Sequence, residues 1–117
     1  MEDRRKFKRI PIQVSARYLW ASKEEWINCS VTNVSREGMG IDVHLQEKIP
    51  LGEMLQFKIT IPTKEEPIKT TGTLMWLKEP KDKWGFIGGI KFINIDSEEI
   101  WTLLDYAKEN WLRNGKK

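Results

Sequence analysis

The chain has 117 residues, of which 39% are apolar and 32% are charged. This length and composition predict one folded domain with its own core and exclude a disordered chain. No apolar run approaches the roughly 20 residues of a membrane helix, and no signal peptide opens the chain, so we expect a cytoplasmic protein without membrane insertion. Cys29 is the single cysteine, which excludes an internal disulfide framework. The net charge of +3 is small for a sequence-independent nucleic-acid binder, so we expect a local anion site and no nucleic-acid partner.

Residues 1–9 form a basic arm, in which one aromatic residue, Phe7, lies among the cations Arg4, Arg5, Lys6, Lys8 and Arg9. Pro11 biases Ile10 toward an extended conformation. If the arm is extended as well, Arg5 and Arg9 point to one side, about 13 Å apart at roughly 3.3 Å per residue. Guanidinium groups form bidentate hydrogen bonds with phosphate and with the O6/N7 edge of guanine. The arm therefore has the spacing to hold two ends of one anionic ligand, although a plain solubilising tail is the alternative.

Six segments alternate apolar and polar residues with the period of half-buried strands. They cover 10–20, 27–31, 39–45, 55–61, 68–77 and 84–92. Polar turns, several of them with glycine or proline, separate the segments. In the fifth segment Leu74 and Trp76 share a face, and in the sixth Gly85, Gly88 and Gly89 indicate a bulge or a close backbone approach.

A helical period follows the sixth segment. Asp96 and Ser97, followed by two glutamates, are typical of a helix start. The stripe that predicts a helix over 97–113 consists of Ile100, Leu103, Leu104, Ala107 and Trp111. Trp101 lies one residue off this stripe, so that with Trp111 it could widen the helix face toward a partner. We expect most of the other tryptophans in the core or at the ends of the fold.

Hairpin-length connections without βαβ alternation predict a mainly β fold. The expected architecture is a six-stranded antiparallel β-barrel with a C-terminal α-helix packed on it or on a partner. We therefore interpret 1–117 as a single domain, with the arm at 1–9, the barrel at 10–93 and the helix at 97–113.

The turn at 33–38 contains Asn33, Ser35 and Gly38. Asn33 and Ser35 alternate on one strand face, so their polar groups can point the same way, and Gly38 removes a Cβ where a ligand or the arm could approach. Alone, this turn is compatible with a plain hairpin. Together, Arg5-x-x-x-Arg9 and Asn33-x-Ser35-x-x-Gly38 resemble the paired signature of the PilZ domain family. The resemblance runs from Arg4 to about Phe92 and includes Trp76 and the run from Gly89 to Phe92.

The resemblance implies a PilZ-type barrel that binds the bacterial second messenger cyclic di-GMP on its outer surface, with no further cofactor. Arg5 and Arg9 match the family's arginines, which contact guanine edges and phosphates, and Asn33 and Ser35 match its polar contacts. Gly38 matches the family's glycine. Arg4 and Arg36 are additional candidates for the site. Because no output domain is recognisable, the resemblance also implies a protein partner or a homodimer, with the C-terminal helix as a possible contact.

The sequence also allows three alternatives to a cyclic di-GMP receptor. An enzyme is not expected, because His44 is the only histidine, Cys29 lies on an apolar strand face, and the sequence has no metal-ligand cluster or nucleophile–base pair. A PilZ-like interaction module that does not bind the nucleotide is disfavoured by the intact arginines. A barrel for single-stranded nucleic acid is disfavoured by the small basic excess.

Overall fold

The computed structural model describes residues 8–20, 23–45 and 47–114. The elements are β1 (Ile10–Trp20), β2 (Ile27–Val34), β3 (Gly38–Val43), β4 (Met54–Thr60), β5 (Ile68–Lys78), β6 (Phe86–Asn94) and α1 (Ser97–Asn114). The strands pair antiparallel in the closed order β1-β2-β3-β6-β5-β4. The predicted six-stranded antiparallel barrel with a C-terminal helix is confirmed.

The barrel interior is filled by the apolar residues of each alternating strand. In β1, Ile12, Val14, Ala16 and Tyr18 are buried and the residues between them are exposed, which is the period-two pattern of a strand with one face on a core. Each fully buried aliphatic or aromatic side chain contributes about 1.5–3 kcal/mol relative to exposure. The alternate residues form the outer face of the barrel, where polar side chains and glycines lie together with exposed apolar residues such as Met54, Met75 and Trp76.

The helix α1 begins with a side-chain cap. Asp96 Oδ1 accepts the N–H of Glu98 at 3.0 Å, and the carbonyl of Asp96 accepts the N–H of Ile100 at 3.0 Å. The helix packs against β1 and β2, and four members of the predicted stripe join the barrel core, namely Ile100, Leu103, Leu104 and Ala107. The stripe prediction is wrong for Trp111, which is 47% exposed. In the ranges that the structure describes, no helix combines the length and the apolarity needed to cross a membrane.

The tryptophans are less buried than the sequence analysis expects. Trp76, Trp84, Trp101 and Trp111 are 44–67% exposed. Trp84 precedes β6 instead of belonging to it, because the backbone turns at Gly85 with φ 108°. Leu45 is also exposed, since β3 ends at Val43. The predicted placement in the core or in strands is therefore wrong for Trp76, Trp84 and Leu45, whereas the partner contact expected of Trp101 and Trp111 stays a prediction.

A bulge in β5 decides which way Trp76 points. Leu74 pairs with Ile90 and Trp76 pairs with Gly89, so Met75 is the extra residue. Leu74 is buried and Trp76 is 45% exposed, which makes the predicted shared face of these two residues wrong. The close backbone approach expected at the glycines of the sixth segment is found at Gly85, where a Cβ would overlap the carbonyl oxygen of Val43, whereas a Cβ on Gly89 would overlap the Trp76 indole.

Candidate ligand-binding site

Arg9 and Asn33 are 24 residues apart in sequence and meet on the barrel wall. Arg9 directly precedes β1, and the β1–β2 register pairs Pro11 with Asn33. Arg9 Nη1 donates a hydrogen bond to Asn33 Oδ1 at 2.6 Å, and both residues are half-buried. A charged donor makes this bond stronger than one between neutral groups. The structure thus brings together two of the residues that the sequence predicts for one site.

Asn33 stands at one end of a row that crosses four strands. It pairs with Gly40, Gly40 pairs with Gly89, and Gly89 pairs with Trp76. A Cβ on Gly40 would overlap the Asn33 amide, and a Cβ on Gly89 would overlap the Trp76 indole, so both side chains lie on bare glycine backbone. At about 4.8 Å between strands, the row spans roughly 14 Å. We call this row, with Arg9, the glycine-floored face.

The glycine-floored face joins three kinds of recognition chemistry. Arg9 offers a cationic fork for phosphate or guanine, Asn33 offers an amide for a base edge, and Trp76 offers an exposed aromatic plane for stacking. Gly40 and the outward direction of Trp76 were missed by the sequence analysis. The sequence signal for this face is the pair of glycines Gly40 and Gly89 on neighbouring strands. It can be recognised only once the strand register, which the fold supplies, is known.

Ser35 occupies a different environment from Asn33. Its side chain is 3% exposed, and its Oγ accepts the N–H groups of Glu37 at 3.2 Å and Gly38 at 3.3 Å. The N–H of Ser35 donates to the carbonyl of Gly38 at 2.8 Å. The expected shared face with Asn33 is not formed, because the hydroxyl of Ser35 is folded into the turn. Ser35 shapes the turn that follows Asn33, and its contact with a ligand stays a prediction.

Gly38 is required by strand packing. It pairs with Lys91, and a Cβ at this position would overlap the carbonyl oxygen of Ile90. The neighbour that excludes a side chain here is thus the β6 backbone. A direct contact between Gly38 and a ligand stays a prediction.

Three further arginines are candidates for the site, and the structure describes one of them, Arg36. The guanidinium carbon of Arg36 lies 5.3 Å from the ring centroid of Trp101, a cation–π contact that connects the turn to α1. Arg4 and Arg5 lie outside the described residues. The proposed roles of all three stay predictions.

A comparison with protein-family models matches the PilZ domain over residues 3–109. The chain belongs to the PilZ family. The match includes the arm from residue 3, both signature motifs, the whole barrel and most of α1.

Solved structures of PilZ proteins share the fold. The inhibitor of motility MotI/DgrA from Bacillus subtilis superimposes with a TM-score of 0.78 at 19% identity, covering 97% of this chain and 53% of that chain. The PilZ domain of YcgR from Escherichia coli, solved with c-di-GMP, gives a TM-score of 0.73 at 14% identity, covering 98% of this chain and all of that one. This PilZ chain therefore spans about half the length of the Bacillus protein. No curated protein sequence matches the chain.

The two groups whose pKa values are shifted in this PilZ domain, Cys29 and Tyr18, lie in the core and not in the candidate site. Burial raises the pKa of the Cys29 thiol to about 12. Burial, and then the hydrogen bond to Glu47, raise the pKa of Tyr18. The core position predicted for Cys29 is confirmed, whereas His44 is exposed. Across the described ranges, no group of three His, Cys, Asp or Glu side chains is placed to hold a metal ion.

Proposed function

We propose that this PilZ domain is a non-catalytic bacterial receptor for cyclic di-GMP, and that the ligand lies on the glycine-floored face. The observation that carries the proposal is the Arg9–Asn33 hydrogen bond beside the exposed indole of Trp76 on one surface. The family match and the ligand named for the YcgR domain support it. Cyclic di-GMP has two guanines and two phosphates, so it needs both cationic and aromatic partners.

Each side chain has a role in this proposal. A guanine stacks on the indole of Trp76 while the amide of Asn33 bonds to its edge. Arg9 and Arg5, which precedes it in the motif Arg5-x-x-x-Arg9, bind phosphate or the second guanine. Ser35 and Gly38 hold the turn beside Asn33, and Arg4 and Arg36 add positive charge nearby.

Calorimetry with cyclic di-GMP, GTP and a short oligonucleotide tests the proposal. We expect cyclic di-GMP to bind and the other two to bind more weakly or not at all. Arg9→Ala removes charge-assisted bonds worth about 1.5–3 kcal/mol, so affinity should fall about 10- to 150-fold. Arg113→Ala, on the exposed last turn of α1, is the matched control. Equal affinities for wild type and Arg9→Ala would refute the site, and no binding of cyclic di-GMP would favour an interaction module.

We further infer that the arm closes over the bound ligand and so signals to a protein partner or a second copy of the chain. An anion that joins Arg5, Arg9 and the turn at 33–38 supplies contacts that offset the backbone ordering cost of about 1–2 kcal/mol per residue. Such a receptor for an intracellular messenger acts in the cytoplasm. Trypsin cleaves after arginine and lysine, so its cuts within 4–9 should slow markedly when cyclic di-GMP is saturating. Identical rates with and without bound ligand would remove the arm from the mechanism but leave the binding site.

A further inference from the structure

The strand register places three cations side by side on a second surface of the barrel. Arg17 on β1 pairs with Lys58 on β4, and Lys58 pairs with Lys69 on β5. At about 4.8 Å between strands, the three backbone positions span roughly 10 Å. Their sequence neighbours point inward, so all three side chains project from the outer wall. We call Arg17, Lys58 and Lys69 the basic row.

The basic row lies away from the glycine-floored face. Its centre is on β4, which the closed strand order β1-β2-β3-β6-β5-β4 places opposite β3. The glycine-floored face has Gly40 of β3 near its middle. The two surfaces therefore have no residue in common, and one can be changed without the other.

Among the described residues, no carboxylate forms an ion pair with the basic row. The sequences of β1, β4 and β5 contain neither Asp nor Glu. The ion pairs Lys64–Glu99 and Lys83–Asp42, both within the described ranges, do not involve these cations. Asp96 lines the shallow groove beside Lys58 and Lys69, and its Oδ1 caps α1. Like charges directly opposite one another destabilise a sheet, so this arrangement is costly unless an anion binds it.

Exposed apolar side chains continue the same wall. Met54 on β4 is 55% exposed and Met75 on β5 is 51% exposed. The N–H of Gly52 donates to the carbonyl of Leu74 at 2.8 Å, which holds the turn that contains Leu51, 62% exposed, against β5. Met54 is four residues from Lys58, about 13 Å along the strand. One wall of the barrel thus presents cations at one end and projecting apolar side chains at the other.

We propose that this wall binds peripherally to the surface of a membrane that contains anionic lipids. The basic row meets headgroup phosphates, and Leu51, Met54 and Met75 enter the interfacial region. Single-stranded nucleic acid fits this wall less well, because such binding uses exposed aromatic planes. The aromatic residue here, Trp26, is half-buried, and Lys58 Nζ lies 4.5 Å from its ring centroid.

Co-sedimentation of the full chain with lipid vesicles tests this proposal. We expect wild type to bind vesicles of phosphatidylcholine with about 30% phosphatidylglycerol and not vesicles of phosphatidylcholine alone. Each cation at such a surface changes binding about fivefold, so Lys58→Gln with Lys69→Gln should weaken it about 25-fold. Lys81→Gln with Arg113→Gln removes the same charge from exposed positions elsewhere and should have a much smaller effect. Met54→Ser with Met75→Ser should also weaken binding.

Three results would overturn the proposal. The first is equal binding of wild type to both kinds of vesicle, and the second is equal vesicle binding by the Lys58/Lys69 variant and its control. The third is that vesicles do not bind while a fluorescent single-stranded oligonucleotide does, in a way that depends on Lys58 and Lys69. Calorimetry of the Lys58/Lys69 variant with cyclic di-GMP separates the two surfaces. Its affinity should equal that of wild type, whether or not vesicles bind.

Discussion

The Trp76 indole covers Gly89 with one side and leaves 45% of its surface to solvent. If a guanine stacks there, Trp76→Ala should cost about 1–3 kcal/mol of binding, or about 5- to 150-fold in affinity for cyclic di-GMP. Trp84→Ala is the matched control, because Trp84 is 67% exposed and lies in the loop before β6. Calorimetry of both variants checks the assignment, and an unchanged affinity for Trp76→Ala would exclude the indole from the site.

Asn33 and Ser35 are two residues apart, and the structure predicts opposite consequences for them. Ser35→Ala leaves the N–H groups of Glu37 and Gly38 without their side-chain acceptor, so unfolding by urea should become easier by about 1–3 kcal/mol. Asn33→Ala removes a half-buried amide whose partner Arg9 can bind water instead, so stability should fall less than in Ser35→Ala while affinity for cyclic di-GMP falls about fivefold. A Ser35→Ala variant as stable as wild type would contradict the turn-shaping role.

At the scale of the strands, the basic row predicts a substitution that stabilises the fold. Lys69→Gln removes one like-charge contact with Lys58, so the free energy of unfolding should rise by about 0.2–1 kcal/mol at low salt. The gain should shrink as salt screens the repulsion. Lys78→Gln is the control on the same strand, since Lys78 pairs with the uncharged Ile87. Urea unfolding measures both, and a less stable Lys69→Gln variant would show that the row is not repulsive.

Strand periodicity predicts most of the barrel but not its irregular points. The alternation in β1 identifies its buried residues directly, because one face of a strand in a closed barrel must pack on the core. It fails at Trp76, because the extra residue Met75 exchanges the inward and outward side-chain positions for the rest of the strand. Period alone contains no information about an inserted residue, so the outward indole was not predictable.

The site was predictable only as far as its motif residues. Arg9 and Asn33 were expected together on the strength of the paired motifs, and they form a hydrogen bond. Gly40 and Gly89 have no side chains that could bind a ligand, and they form part of the site because they pair with each other on neighbouring strands. The resemblance to the PilZ signature predicts Ser35 as a ligand contact. A hydroxyl in a turn can also serve the backbone, and only the folded chain shows that this one is buried in the turn.

At the scale of the whole molecule, two buried acids predict how stability depends on pH. Burial raises the pKa of Cys29 from 9.0 to about 12 and also raises that of Tyr18. The unfolded chain therefore loses these protons first, so stability is full below about pH 9 and declines as the pH rises toward about 12. Each group contributes up to about 1.4 kcal/mol per pH unit within its range. Urea unfolding between about pH 8 and about pH 10 should show this decline.

Cys29→Ala is the control for the alkaline effect. It removes one of the two buried acids and leaves Tyr18, so its stability should fall less steeply with pH than that of wild type. Parallel pH dependences for the two proteins would assign the decline to other groups. The comparison of slopes does not depend on how much the cavity left by the substitution lowers stability at neutral pH.

The closed strand order limits the ways in which this domain can bind other molecules. Every strand has a hydrogen-bonded neighbour on both sides, so its backbone is already paired. Open sheets capture extended peptides by adding them as a further strand, a mode of recognition that a closed sheet does not offer. Recognition by this barrel must use side chains on its wall, its loops or its helix. The exposed side chains there lie outside the core, so the same scaffold can acquire a new ligand through surface substitutions while its interior stays unchanged.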